Sequence, residues 1–227
     1  MNTATKHWFR STDSDGNDVT SELLGFAEFI GLERVASGRY SVLLLLALYA
    51  GMRSGQQNPP KVIHEIEALE GLRVNSRSKP ASIFKRDKPL KGLWHKHYLE
   101  DGLPSMATNL RKGIARYGLP WVKNVMAEAQ ATGEERIVAK QDIAQIAHDA
   151  VISNWERLVA DSALTGEWIV FAQHEGKNYY LCLGRHKGGD ELLRSQIDTV
   201  CVREFPFLKK ILSNKPSENE HHEPDLP

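Results

Sequence analysis

Cysteine is nearly absent from this chain: Cys182 and Cys201 are the only two in 227 residues. They share no Cys-x-x-Cys spacing and have no other cysteine to join. A zinc knuckle and a disulfide scaffold are therefore excluded, and both read as reduced core residues of a cytosolic protein. Long apolar runs are missing too. The longest, Tyr40 to Met52 around Leu43 to Leu46, has thirteen residues, well below the roughly 20 that cross a bilayer. It reads as a buried helix, and no membrane partner is expected. The opening residues are polar and lack the apolar segment of a secretory leader, so a cytoplasmic location is expected. No Gly-x-x-x-x-Gly-Lys-Ser/Thr, dinucleotide fingerprint or Gly-x-Ser-x-Gly occurs, which excludes the nucleotide-binding and hydrolase classes built on them. Asp13, Asp15, Asn17 and Asp18 open like a calcium loop, but Asp18 and Leu24 stand where the loop glycine and the bidentate glutamate belong. An acidic turn before a helix is the reading, and no metal or other cofactor is expected.

What the chain does have is a lopsided charge distribution. It is neutral overall, with 29 Lys or Arg against 29 Asp or Glu. Residues 72–123 nevertheless carry twelve Lys or Arg and only three acids. That block offers a place for a polyanion, and binding there would weaken steeply with salt. Phe84, Trp94, Tyr98, Tyr117 and Trp121 are interleaved with the charges and suit stacking on unpaired bases. The competing reading is a solvated surface that pairs with acids elsewhere in the chain.

Apolar periodicity predicts helices after Thr20 or Ser21 and over 39–52, 61–69, 105–117, 121–131 and within 134–164. The stretch 72–91 reads as an exposed basic connection with one short strand around 72–74, and 90–99 as the start of a helix. The sheet signal is late. Trp168 to Ala172 and Asn178 to Leu183 flank a turn at His174-Glu175-Gly176-Lys177, which predicts a hairpin. A helix over 191–199 follows, then a strand or helix end over 200–205. The fold class expected is α+β, predominantly helical, with a small antiparallel sheet built on this C-terminal hairpin at about 168–183. The organisation expected is a helical region over 1–71, a basic segment plus α+β region over 72–212, and a disordered tail over 213–227.

Two constellations could carry chemistry. His95 and His97 flank Lys96 in Trp94-His95-Lys96-His97-Tyr98. On a helix, positions two apart do not share a face; on a strand they do. Metal-free cleavage of RNA by its own 2′-hydroxyl needs a base, an acid and a cation. Either imidazole with Lys96 supplies part of that set; the bland alternative is one packed and one surface histidine. The second constellation is Gly184-Arg185-His186-Lys187-Gly188-Gly189-Asp190. It leaves a strand and enters a helix, where backbone N–H groups and cationic side chains can hold phosphate. A flexible basic turn is the equal alternative.

Taken together, these residues resemble the small metal-independent ribonuclease toxins, the assemblage that includes barnase, the colicin nucleases, EndoU and RelE. The resemblance covers at most residues 90–212 and departs from those folds in the number of strands, since only two or three are legible here. It implies His95 or His97 as one catalytic group, placed on a basic helix, and His186 with Lys187 or Arg185 as the second. The leading expectation is an RNA-acting protein, a metal-independent endoribonuclease of toxin or defence type. His95, His97 and His186 would move protons, while Lys96, Arg185, Lys187, Arg111 and Lys112 would hold phosphate. The alternatives are a non-catalytic nucleic-acid adaptor, and a protein–protein module whose partner is an antitoxin, immunity or complex-forming protein.

Overall fold

The computed structural model describes residues 9–73, 76–84, 89–100, 102–133, 135, 137–185 and 189–213. Four helices come first: α1 (Thr20–Phe29), α2 (Leu32–Ala36), α3 (Val42–Arg53) and α4 (Pro59–Leu69). Two short strands follow, β1 (Ser82–Ile83) and β2 (Trp94–Tyr98). Then come α5 (Leu103–Tyr117), α6 (Pro120–Thr132), α7 (Lys140–His148) and α8 (Asn154–Ala160), the last two joined by a π-turn at Asp149–Ser153. The hairpin β3 (Glu167–His174) and β4 (Lys177–Gly184) precedes α9 (Asp190–Gln196), a second π-turn (Ile197–Cys201), α10 (Val202–Glu204) and α11 (Leu208–Leu212).

The chemistry of each start is local. Ser41 caps α3 by accepting the Leu44 N–H at 3.1 Å, which satisfies a donor that the helix cannot. Its apolar run buries Leu44, Leu45 and Leu48. Proline in the first turn opens α4, α5 and α6, where the missing N–H is not needed. The β3–β4 turn holds Glu175 and Gly176 at φ 49° and 73°, the two positive values that a tight hairpin with twisted arms requires.

The four strands form one antiparallel sheet in the order β1-β2-β3-β4. It is therefore built from the basic segment as well as from the C-terminal hairpin. The 90–99 stretch is strand rather than helix start: β2 pairs with β3 from Trp94↔Phe171 to Tyr98↔Glu167. Its side chains alternate between faces, and each face has its own partners. The short strand lies at Ser82–Ile83 and not at Leu72 or Arg73; Val74 lies outside the described residues, as do residues 214–227 of the expected tail. Residues 200–204 are helical.

Helices cover both faces of the sheet. On one side α1 to α4 bury Phe26, Leu44, Leu48 and Ile66 against Tyr98, Ile169, Phe171 and Tyr180. On the other, Ile197, Cys201, Phe205 and Leu208 pack on Val170, Ala172, Leu181 and Cys182. Each apolar side chain removed from water this way stabilises the fold by roughly 1.5–3 kcal/mol. Both cysteines are free and buried. Helices α5 to α8 attach beyond the end of β2 through a smaller core of Leu158, Ala163 and Leu164 with Leu99 against it, and α6 buries no side chain. No helix among the described residues is long and apolar enough to cross a membrane.

Candidate functional site

Strand β2 sorts the five residues of Trp94–Tyr98 onto two faces. Trp94, Lys96 and Tyr98 point toward the α1–α4 layer, and His95 and His97 point away from it. The two imidazoles lie 5.5 Å apart, centroid to centroid. They belong to an aromatic group with Phe84, 4.6 Å from His95, and Trp168, 5.3 Å from His95 and 6.4 Å from His97. His97 is 4 % exposed, and its Nδ1 lies 2.8 Å from the Gly166 carbonyl. The Gly166 N–H lies 3.4 Å from the same nitrogen, so both backbone groups of Gly166 face the ring. His95 is half-buried, with Nε2 3.3 Å from the Ser82 hydroxyl.

Lys96 faces inward. Its Nζ meets Glu65 at 3.2 Å and donates to Ser76 Oγ at 2.7 Å, Ser78 Oγ at 2.8 Å and the Lys79 carbonyl at 2.7 Å. Burial pushes its pKa below the usual lysine value, against the pull of the Glu65 carboxylate. With its protons committed and 3 % of its surface exposed, this ammonium holds the 76–79 segment onto the sheet. It does not reach a phosphate in solvent, so the expectation for Lys96 gives way to a structural role.

The register relates the two sequence constellations. His97 pairs with Trp168, and Trp168 pairs with Gly184. The three form one row across β2, β3 and β4, spanning about 10 Å at ordinary strand spacing. Arg185 follows directly, exposed, on the face of Tyr98. It lines a cleft of ≈ 720 Å³ between the α3–α4 connection and the end of β2. On the cleft wall Gln57 Nε2 donates to Glu100 Oε1 at 2.6 Å, and the Tyr98 hydroxyl donates to the same oxygen at 3.2 Å. Burial and the Glu100 carboxylate raise the Tyr98 pKa far above the ordinary phenol value. Arg185 thus stands across the sheet from the histidine face. His186 and Lys187 lie outside the described residues.

The second cationic group was only half legible. Helix α5 presents Ser105, Asn109, Lys112 and Arg116 at spacings of four, three and four residues, which is one helical face. That face runs along the 161–165 segment, zipped onto it by polar contacts. Arg116 pairs with Asp161 at 2.8 Å. Lys112 donates to the Ala163 carbonyl. Asn109 grips both polar groups of Thr165, donating to its carbonyl at 2.7 Å and accepting its N–H at 2.9 Å. Lys79 reaches the same place from the other side, its N–H on the Leu164 carbonyl at 3.2 Å. That N–H is the Lys79 backbone; the Lys79 and Arg116 charges both act on the Lys112 ammonium, which makes the three cations neighbours. Partial burial and the like charges of Lys79 and Arg116 bring the Lys112 pKa down to about 8. Arg111, one residue from Lys112, points to solvent, as does Arg77. The arrangement can accept negative charge, since an incoming anion would relieve repulsion that the fold itself leaves only partly compensated.

Among the described residues no group of three or more His, Cys, Asp or Glu side chains is placed to hold a metal ion. No family model, no curated protein and no solved structure matches this chain.

Proposed function

We propose that this protein binds RNA, holding the phosphate backbone on the Lys79–Lys112–Arg116 cluster with Arg77 and Arg111 beside it. The observation that carries this reading is that two separate segments meet on one turn of chain at 161–164, Lys112 and Arg116 by their side chains and Lys79 by its backbone N–H, with the Lys79 charge acting on Lys112. Folding places like charges together there, against their mutual repulsion, inside a block that is already rich in Lys and Arg. Phosphate is the chemistry such a cluster suits best.

The test is the affinity of the full chain for a single-stranded RNA dodecamer over a range of salt. Each phosphate neutralised contributes about −0.7 to the slope of log K against log salt, so three contacts give a slope near −2. A slope near zero would contradict the proposal.

A pH dependence follows from Lys112. Its proton is weakened first by partial burial and then by Lys79 and Arg116, with Asp161 facing Arg116 and the Ala163 carbonyl facing Lys112 itself. A bound phosphate favours the charged form, so binding takes up a proton wherever free Lys112 has lost it. Affinity is therefore expected to fall as pH rises through about 8. A Lys112→Arg variant should be flat over the same window, because guanidinium does not titrate there. Equal pH profiles for the two proteins would remove Lys112 from the contact.

A second reading adds catalysis, with His95, His97 and His186 as acid–base groups of an endoribonuclease. The His97–Trp168–Gly184 row favours it, because it brings the end of β4 to the same end of the sheet as β2. The burial of His97 weighs the other way. Incubation of labelled RNA with wild type and His97→Ala in EDTA separates the two: cleavage lost in the variant supports catalysis, and intact RNA with both leaves binding alone.

A further inference from the structure

The α5 face that carries Lys112 and Arg116 begins, two turns earlier, at a pocket. Leu103, Ser105 and Met106 of α5 and Ile152 and Trp155 of the following helical pair line a largely apolar cavity of ≈ 530 Å³, with Lys61, Glu100 and Glu156 as its charged residues. Leu103, Met106 and Ile152 stay largely open to solvent, at 80 %, 47 % and 46 % exposure. The Ser105 hydroxyl is buried and has no hydrogen-bond partner among the described residues. Glu100 brings a carboxylate to the rim, one oxygen of which already accepts from Gln57 and Tyr98. Apolar walls with an indole, one orphan hydroxyl, two carboxylates and one ammonium are the features of a site for a flat ring that carries its own hydrogen-bonding edge.

Resting on the RNA reading above, we infer that this pocket receives one unpaired base of the strand whose phosphates lie on the Lys79–Lys112–Arg116 cluster. Met106, which lines the pocket from an exposed position, and Lys112 are six residues apart on α5, about 9 Å along the axis. The strand therefore needs only a short step from the cations to the pocket. The positive charge on the same helix face is what selects a nucleic acid over an apolar peptide as the occupant. Glu100 and Glu156 outnumber Lys61 in the lining and give the pocket a preference. A carboxylate accepts and cannot donate, so it favours a base with an exocyclic amine. Uracil offers one ring N–H flanked by two carbonyl oxygens, which a carboxylate repels.

Fluorescence anisotropy with labelled rA, rC and rU dodecamers tests this on the full-length chain. The expected result is rU binding about tenfold more weakly than rA or rC. Trp155→Leu should remove at least a few-fold of rA affinity, stacking on a bound base being worth roughly 1–3 kcal/mol. Met106→Glu should do the same from an exposed position that the fold does not depend on. Both variants should keep the wild-type salt slope, because the phosphate contacts are elsewhere. Equal affinities for the three strands, with both variants matching wild type and the salt slope intact, would overturn the base pocket and leave the RNA reading standing. No binding of any strand would overturn both. Capture of an apolar peptide by the pocket, with RNA affinity unaffected by Met106→Glu, would overturn the pocket's assignment to a base.

Discussion

Replacing Lys96 with methionine is expected to lower stability by about 3–5 kcal/mol, because it leaves the Glu65 carboxylate buried and unpaired. The Lys96 and Glu65 side chains are 4 % and 9 % exposed, so water cannot replace the lost partner. At the scale of a chain this size, that change moves the melting temperature down by roughly 6–20 °C. The double variant Lys96→Met with Glu65→Leu should recover at least half of the loss, since an apolar pair of similar volume tolerates the same burial. Differential scanning calorimetry of the single and double variants checks both statements. A single variant within about 1 kcal/mol of wild type would contradict the account of Lys96 as a buried tether. The consequence reaches the proposed site. Lys96 holds the Lys79 carbonyl and both polar groups of Ser78, so loosening it also releases Lys79 from the cation cluster. RNA affinity should fall in the single variant even below its melting temperature.

Gly166→Ala is expected to be as damaging, for a steric reason. A Cβ at this position would stand 1.9 Å from the Tyr98 carbonyl oxygen and 2.8 Å from its carbon. Both are backbone atoms in or beside the β2–β3 ladder, and neither can swing aside as a side chain would. The methyl group therefore forces β2 and β3 apart at the row where Gly166 also contacts His97. The Thr165 backbone gripped by Asn109 is the neighbouring link. Overpacking against a rigid neighbour costs about 3 kcal/mol or more, which appears in urea as a midpoint lower by about 1 M with little change in slope. Gly25→Ala is the control. No atom lies within 4 Å of a Cβ there and the residue sits inside α1, so that change should stabilise by about 0.5–1 kcal/mol. Similar midpoints for the two alanine variants would show that β2 and β3 are not packed as closely as described.

How far the fold could be read from residues depended on where each strand's partners lie. The hairpin was legible because Trp168 to Ala172 and Asn178 to Leu183 are apolar runs around a local turn. β2 was not. Its inward face is Trp94, Lys96 and Tyr98 and its outward face is His95 and His97, so no alternation of apolar with polar residues marks it. Lys96 is burial-compatible only through Glu65, thirty-one positions earlier, and no local pattern announces such a pair. β1 has two residues and exists because β2 offers it an edge. The first π-turn falls inside apolar periodicity that reads as ordinary helix, and the second straddles the end of the helix expected over 191–199. In the candidate site, Lys112 was legible as part of the basic block and Arg116 sits four residues on, the ordinary spacing of one helix face. Lys79 was not legible as their neighbour, because it is brought there by long-range contacts, its N–H on the Leu164 carbonyl and its own carbonyl on Lys96. Ser105 and Trp155 gave no signal either, since a half-buried serine and a half-buried tryptophan are commonplace until the fold opens a cavity between them.

One measurement goes to the central claim directly: the salt dependence of RNA affinity for the wild type beside Lys79→Gln/Lys112→Gln/Arg116→Gln. Lys112 and Arg116 also tie α5 to the 161–163 turn, so affinity is compared well below the variant's own melting temperature. The account expects affinity lower by a factor on the order of 100 and a log–log slope shallower by about 2, the loss of three phosphate contacts. An unchanged slope with unchanged affinity would show that the strand, if bound, is held elsewhere, and would contradict the assignment of the phosphate site to this cluster.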